Sequence, residues 1–406
     1  MRISRNQLLF AFSECLDYVE SLVGTHHYDT AYIALHILNE MDLPYEQLQD
    51  ILTAALIHDV GVFSRNTFEK IRNYAFEDED SHSHIGYSLL KDIPYYSHFV
   101  ETILYHHANY EKNKENKIPL SSYIIFLADR LTFLIKKSPK NLDLHRKYVL
   151  DTISKDMNKR FNPILYPYLK QALEKDSFWM YFKENVHKDI VKDAFKYDNT
   201  LSNFYELKNF LRLFGKVVDY KSPFTTTHSV AVSKIAPEIG AHYNLPNRSL
   251  ENLEIAGLIH DIGKLAIDNE ILEKPGSLTA EEYETMKTHI LYTDKILKSI
   301  DGFSEIREIA ISHHEKNDGS GYPNRKTEKD LSPEQKILIV SDLFTAMTED
   351  RPYRESLSKE CVLKILKEME IENKISKDIN DIVFKNIDIL YKINQEVHIK
   401  AQQEYA

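Results

Sequence analysis

The stretch Leu258-Ile259-His260-Asp261-Ile262-Gly263 has a near copy 202 residues earlier, Leu56-Ile57-His58-Asp59-Val60-Gly61. In both, an apolar run ends on adjacent histidine and aspartate and then a glycine. The flanks keep the same offset: Thr25-His26 stands against Thr227-His228, and Leu43-Pro44 against Leu245-Pro246. His26 and His58 are 32 residues apart, as are His228 and His260. A helical apolar stripe, Leu8, Leu9, Phe12, Leu16 and Val19, precedes the first copy; Phe210, Leu211, Phe214 and Val218 precede the second. A repeat governs how the whole fold is read, and this one is an internal duplication.

With short length changes the copies stay aligned further on. Ser83-His84-Ile85 is set against Thr288-His289-Ile290, Tyr105-His106-His107 against Ser312-His313-His314, and Phe126-Leu127-Ala128-Asp129 against Ile339-Val340-Ser341-Asp342. The first copy thus keeps every His and Asp of the set. It lacks other parts. Val62 stands where Lys264 does, and Ala108 where Glu315 does. The segment from the paired histidines to the last aspartate is six residues shorter and has no Gly-x-Gly-Tyr-Pro. Nothing like Asp350-Arg351-Pro352-Tyr353-Arg354 follows Asp129.

A chain of 406 residues is long for one core. Few glycines, plentiful Lys, Glu, Ile and Leu, and no alternating pattern of useful length favour helix. The expected fold is all-α: two tandem helical bundles, residues 1–195 and 196–406. Thr279 with Glu282 predicts a capped start for the helix carrying His289, and Ser332-Pro333-Glu334-Gln335 one for the helix carrying Asp342. The aromatic run Phe178-Trp179-Met180-Tyr181-Phe182 is read as core or domain interface.

With 62 acidic and 51 basic residues, the net charge of −11 argues against a broad surface for nucleic-acid polymers. An anionic small substrate needs a local basic cluster instead. Two cysteines give no disulfide framework and fit a reducing cytosol. No signal-peptide pattern and no run of 18 apolar residues is present, so a cytoplasmic protein without a membrane span is expected.

The chemistry gathers in the second copy. His313-His314-Glu315-Lys316-Asn317-Asp318-Gly319-Ser320-Gly321-Tyr322-Pro323 joins paired histidines to a glycine loop. Histidine is the commonest metal ligand, and a glycine loop lets backbone approach a ligand closely. Together with His228, His260-Asp261-Ile262-Gly263-Lys264, His289, Asp342 and Asp350-Arg351-Pro352-Tyr353-Arg354, this string resembles the HD-GYP phosphodiesterases, which hydrolyse bacterial cyclic dinucleotides. The resemblance covers roughly residues 200–406, and it makes both bundles HD-type, the first one degenerate.

The resemblance implies that His228, His260, Asp261 and Asp342 hold one divalent ion. His289, His313 and His314 suffice for a second if Asp261 bridges the two. Two ions about 3.5–4 Å apart clamp the attacking and leaving oxygens of a phosphodiester, and a bridging water becomes hydroxide at neutral pH. The mixed His/carboxylate shell suits iron or manganese better than magnesium. Lys264 is expected to contact phosphate as a point charge and to take part in catalysis with Asp261. Arg351 and Arg354 would grip another phosphate. In the family these motifs and the loop of Gly321, Tyr322 and Pro323 line the substrate site, Tyr322 offering a face for a purine. The bland alternatives are a solvated lysine, structural arginines and a packed loop aromatic.

The substrate implied is cyclic di-GMP, opened to pGpG and then GMP, with cyclic GMP-AMP as the alternative. A non-catalytic cyclic dinucleotide sensor and a general nucleotide phosphohydrolase are the competing classes. Candidate protein partners are a diguanylate cyclase or another signalling protein, and a second copy of the chain as a homodimer. Ser222 stands where many members carry Asp, an acid that helps proton transfer in the family. Phe224 stands where some carry a ligating Glu, so two metals rather than three are expected. Thr345 replaces a frequent Asp. For the first copy, His26, His58, Asp59, His84, His106, His107 and Asp129 form a candidate further metal site. It lacks every substrate-gripping motif and is expected not to hydrolyse the substrate.

Overall fold

Two helices in the first half of the chain, His26–Leu38 and Leu120–Ile135, are buried on nearly every face. A helix buried on all sides sits inside its bundle, and these two pack on each other at the centre of theirs. The computed structural model describes residues 3–20, 24–63, 81–136, 142–196, 200–201, 203–221, 227–349 and 356–405. The chain divides into two compact units, Arg5–Asn199 and Met1–Ser4 with Thr200–Ala406. The first four residues go with the second unit: β1 (Ile3–Ser4) pairs antiparallel with β2 (Thr200–Leu201), Ile3 opposite Leu201. Apart from that short ladder the described elements are helices, so the all-α tandem bundle read from the sequence is what the protein adopts.

The first unit runs α1 (Arg5–Glu20), α2 (His26–Leu38), α3 (Tyr45–Ile57), α4 (Ser81–Leu90), α5 (Val100–Leu104), α6 (Leu120–Ile135), α7 (Leu142–Asp156), α8 (Tyr166–Glu174), α9 (Asp176–Lys183) and α10 (His187–Ala194). Asp29 of α2 is buried, yet its carboxyl stays below the usual range: burial pushes it up, but His187 at 2.8 Å and Lys136 at 2.7 Å outweigh that. Of the aromatic run, Phe178 and Trp179 are buried within this unit, Phe178 against Tyr32, while Met180 and Tyr181 are exposed.

The second unit runs α11 (Phe204–Lys221), α12 (His228–His242), α13 (Asn247–Ile259), a 3₁₀ turn (Ile262–Ala266), α14 (Asn269–Leu272), α15 (Ala280–Lys298), α16 (Ser304–Ala310), α17 (Pro333–Thr348), α18 (Lys359–Ile371) and α19 (Lys377–Tyr405). Both expected capping boxes form, Thr279 with Glu282 on α15 and Ser332 with Gln335 on α17. Each satisfies backbone donors that a helix start leaves unpaired.

A buried aspartate on the preceding helix braces the first turn of α2 and of α12. Asp219 accepts from the Ser229 hydroxyl at 2.8 Å and its backbone N–H at 3.4 Å. Asp17, 202 residues earlier, accepts from the His27 backbone N–H at 3.0 Å. These contacts fix the helix ends that present His228 and His26. No helix among the described residues is long and apolar enough to cross a membrane.

Candidate active site

Five elements bring the second-copy set together: the start of α12 (His228), the end of α13 (His260, Asp261), the middle of α15 (His289), the turn after α16 (His313, His314) and the middle of α17 (Asp342). His260 is held by its Nδ1 on the Gly257 carbonyl at 2.9 Å, His289 on that of Met286 at 2.6 Å, and His313 on that of Ala310 at 2.6 Å. In each case the anchor is the carbonyl three residues back. Each Nδ1 therefore carries the proton, and each Nε2 offers its lone pair inward.

Asp261 stands between two groups of these nitrogens. Its Oδ2 lies 3.2 Å from His260 Nε2. Its Oδ1 lies 3.6 Å from both His289 Nε2 and His313 Nε2. His228, His260 and Asp261 form one possible ligand group, and His289, His313 and His314 another. Asp342 Oδ1 completes the first, 3.0 Å from His228 Nε2 and 3.8 Å from His260 Nε2.

The donor set fits a metal centre on its own terms. His260 Nε2, His289 Nε2, His313 Nε2 and Asp261 Oδ1 are buried and make no hydrogen bond. Buried polar atoms without partners cost free energy, and cations satisfy all four. Burial lowers the His289 pKa to about 3 and that of His314 to about 4, and pushes His313 well down. All three are neutral imidazoles at pH 7, the ligating form. Asp261 stays ionised: burial opposes its charge, but Lys264 and His260 hold its pKa well below the usual range.

His228 differs from the other histidines. It is the first residue of its helix, so no helical carbonyl lies three residues behind it. A side chain fills that role: the buried Glu349 carboxylate sits 3.0 Å from His228 Nδ1. Burial works against a charge on His228, yet Glu349 and Asp342 raise its pKa well above the ordinary value. Sequence reasoning missed Glu349, whose only signal is its place seven residues after Asp342. In the first copy that place is Lys136, which pairs with Asp29 instead. Glu349→Ala is expected to weaken metal retention about 10–100-fold, as is usual when a ligand histidine loses its orienting partner. Glu349→Gln, which still accepts from Nδ1, should recover part of the loss. Competition with a graded series of chelators measures this; equal retention in the alanine variant and the unaltered protein would refute the role.

The glycine loop packs on the paired histidines. Tyr322 N–H donates to the His314 carbonyl at 3.1 Å, and the Tyr322 ring lies against that of His314 with centroids 4.9 Å apart. Buried Glu315 accepts from the backbone N–H groups of Asn324 at 2.6 Å and Lys326 at 3.0 Å. A Cβ on Gly321 would come within 2.5 Å of Glu315 Cα, so only glycine allows this approach. Tyr322 is half-buried, Pro323 is exposed, and Lys287 Nζ stands 5.8 Å from the Tyr322 ring centre. Lys264 Nζ lies 2.5 Å from Asp261 Oδ2. Thr345 is buried three residues beyond Asp342. Arg351, Arg354, Ser222 and Phe224 lie outside the described residues.

In the first unit His26, His58, Asp59, His106, His107 and Asp129 converge in the same way. Asp59 Oδ2 lies 3.4 Å from His26 Nε2 and 3.3 Å from His58 Nε2, and Asp129 Oδ1 lies 3.3 Å from His26 Nε2. One expectation is corrected. His84 is exposed on α4 and takes no part, while His82 is buried with its Nε2 3.3 Å from Asp59 Oδ1. Residues two apart on a helix point in nearly opposite directions, so only one of the two can face the cluster. Backbone packing decides which. A Cβ on Gly61 would strike the His82 carbonyl, and one on Gly263 the His289 carbonyl, which makes His82 the counterpart of His289.

An HD domain family model matches residues 212–379, and a second HD domain model matches residues 23–134. Among curated proteins, the 3'3'-cGAMP-specific phosphodiesterase 1 of Vibrio cholerae is 28% identical over 409 residues, covering 97% of this chain and 94% of the relative. A cyclic di-GMP phosphodiesterase of Thermotoga maritima is 33% identical over 193 residues, 46% of this chain and 52% of its own. Among solved structures, that of the Vibrio cholerae cyclic GMP-AMP specific phosphodiesterase V-cGAP3 superposes with a TM-score of 0.65 at 21% identity. It covers 96% of this chain and 98% of its own, a likeness of fold.

Proposed function

We propose, for a chain that belongs to the HD-domain family and carries two such domains, that the second is a metal-dependent phosphodiesterase opening a cyclic dinucleotide. The observation that carries this reading is Asp261, one carboxylate with its two oxygens turned to two separate groups of imidazoles. His228, His260, Asp261 and Asp342 would hold one ion, and His289, His313 and His314 with Asp261 the other. Iron or manganese suits that shell. When bound, the ions supply Lewis acidity and activate water for attack on phosphorus.

The chain's own residues do the rest. Glu349 and the backbone carbonyls hold the imidazoles in one tautomer. Tyr322, kept in place by Glu315 and His314, offers its face to a base beside the metal ligands. Lys264, released from Asp261 when that carboxylate ligates, neutralises charge on the phosphate under attack. Arg351 and Arg354 are the candidate grips for the second phosphate. Cyclic di-GMP and cyclic GMP-AMP are the two candidate substrates, and the long match to a 3'3'-cGAMP-specific enzyme supports the latter as strongly as the sequence motifs support the former. The first domain, with buried Val62 in place of the lysine and no glycine loop, is not hydrolytic in this reading. The cytoplasm suits a chain whose two cysteines, buried Cys15 and exposed Cys361, are both free thiols.

The test is to incubate iron- or manganese-loaded protein with cyclic di-GMP and 3'3'-cyclic GMP-AMP separately and resolve the products. Linear dinucleotide or mononucleotide supports the reading; tight binding without cleavage of either would make the protein a sensor. Lys264→Ala should keep its metal and turn over at least about tenfold more slowly, since removing a preorganised transition-state contact commonly costs about 2–4 kcal/mol. Unchanged turnover would make Lys264 a bystander.

A further inference from the structure

The two centres differ in a way that the duplication does not foretell. In the first domain four donor atoms from three elements close on one point: Asp59 Oδ1, His82 Nε2, His106 Nε2 and His107 Nε2. His82 Nε2 is 3.3 Å from Asp59 Oδ1, 3.2 Å from His106 Nε2 and 3.1 Å from His107 Nε2. His106 Nε2 is 3.5 Å from Asp59 Oδ1, and the remaining pairs lie within 4.8 Å. A tetrahedral zinc ion with bonds of about 2.0–2.1 Å sets its ligand atoms about 3.3 Å apart. The four pairs with His82 or between His106 and Asp59, at 3.1–3.5 Å, centre on that value.

Hydrogen bonding does not account for the cluster. His106 Nδ1 is anchored on the Ile103 carbonyl at 2.6 Å, so its Nε2 is an acceptor. Asp59 Oδ1 is a buried acceptor with no hydrogen bond at all. His82 Nε2 carries at most one proton, yet it faces three neighbours at 3.1–3.3 Å. A cation satisfies all four at once.

In the second domain the matching imidazoles, His289, His313 and His314, form a group that does not include the shared carboxylate. What sets the first-domain site apart is its surroundings: Val62 stands in place of Lys264 and no glycine loop follows the paired histidines, so an ion there has no substrate grip beside it and is of the structural kind. His26, His58 and Asp59 form a further possible group, but a second ion there is disfavoured. The buried Arg130 guanidinium donates through Nε to Asp129 Oδ2 at 2.9 Å and adds a fixed positive charge; the second domain has Leu343 there.

We infer that the first domain holds a single tetrahedral metal ion of the zinc class, bound by Asp59, His82, His106 and His107, and that this ion is structural. The site stands whether or not the second domain cleaves a cyclic dinucleotide. It joins α4 and the turn after α5 to the end of α3, and an ion that binds only the folded state stabilises it.

The experiment uses the full-length chain. Metal content after loading with zinc and removal of loose ions is measured for the unaltered protein, His82→Ala and His84→Ala. The expected result is one equivalent less zinc and a lower first melting transition in His82→Ala, with His84→Ala unchanged in both. Full zinc content in His82→Ala, or loss in His84→Ala, would overturn the assignment. Should His82→Ala fail to fold, cobalt(II) titration of the unaltered apo-chain carries the test. The intense visible absorption of four-coordinate cobalt is expected, and only the weak bands of six-coordinate cobalt would overturn the inference.

Discussion

Asp261→Asn is expected to lose metal and to turn over at least about a thousandfold more slowly, because ions acting on a phosphoryl group supply several kcal/mol of transition-state stabilisation. The reason lies in how the carboxylate is shared. Oδ2 faces His260 at 3.2 Å, and Oδ1 faces His289 and His313, each at 3.6 Å. An amide keeps one ligating oxygen and turns an NH₂ group, a donor, towards the other nitrogens. Whichever way it is flipped, one group loses its oxygen ligand and the other keeps only a neutral one. The residual negative charge near two cations also falls by one. Metal analysis should therefore register a loss of at least one equivalent alongside the kinetic loss. A variant with full occupancy and unaltered activity would remove Asp261 from the bridge.

The duplication was legible because both domains need the same atoms in the same order. His26, His58, Asp59, His106, His107 and Asp129 can be found by offset alone, and the structure gathers them. His84 fails for a physical reason. The segment between the His-Asp pair and the next histidine differs in length between the copies, and the short match Ser83-His84-Ile85 lies two residues beyond the buried histidine. The feature that fixes the register is Gly61 against the His82 carbonyl, a backbone contact with no sequence signature beyond the glycine itself. Glu349 was hidden for another reason: its contact with His228 spans 121 residues, and its need arises only because His228 opens a helix. Local rules did better where the physics is local. Both capping boxes were readable because each is satisfied within four residues. The loop acid Glu315 lies between these cases. Its place after the paired histidines was plain, but its work, holding the turn at Asn324 and Lys326, needed coordinates.

The counterpart of that glycine contact in the second domain, Gly263 against the His289 carbonyl, carries the other large effect. Gly263→Ala is expected to destabilise the second domain by about 3 kcal/mol or more, at the upper end of what overpacking costs, and to displace His289. A Cβ there would lie 1.9 Å from the His289 carbonyl oxygen and 2.7 Å from the Thr293 backbone nitrogen. Both are backbone atoms inside α15, so no rotamer change relieves the clash; the helix must move away from the 3₁₀ turn. Two anchors go with it. Thr293 hydroxyl accepts from the Gly263 N–H at 3.0 Å and donates to the His260 carbonyl at 3.2 Å, tying α15 to the His-Asp turn. Once that tie opens, His289 Nε2 leaves the 3.6 Å approach to Asp261 Oδ1, and its ion loses a ligand. The variant should therefore melt earlier and retain less metal than the unaltered chain, while the first domain's transition stays where it was. Calorimetry with metal analysis on the same samples reads both. Normal melting with a full metal complement would mean that α15 tolerates the methyl group, and the packing argument that pairs His82 with His289 would fall with it.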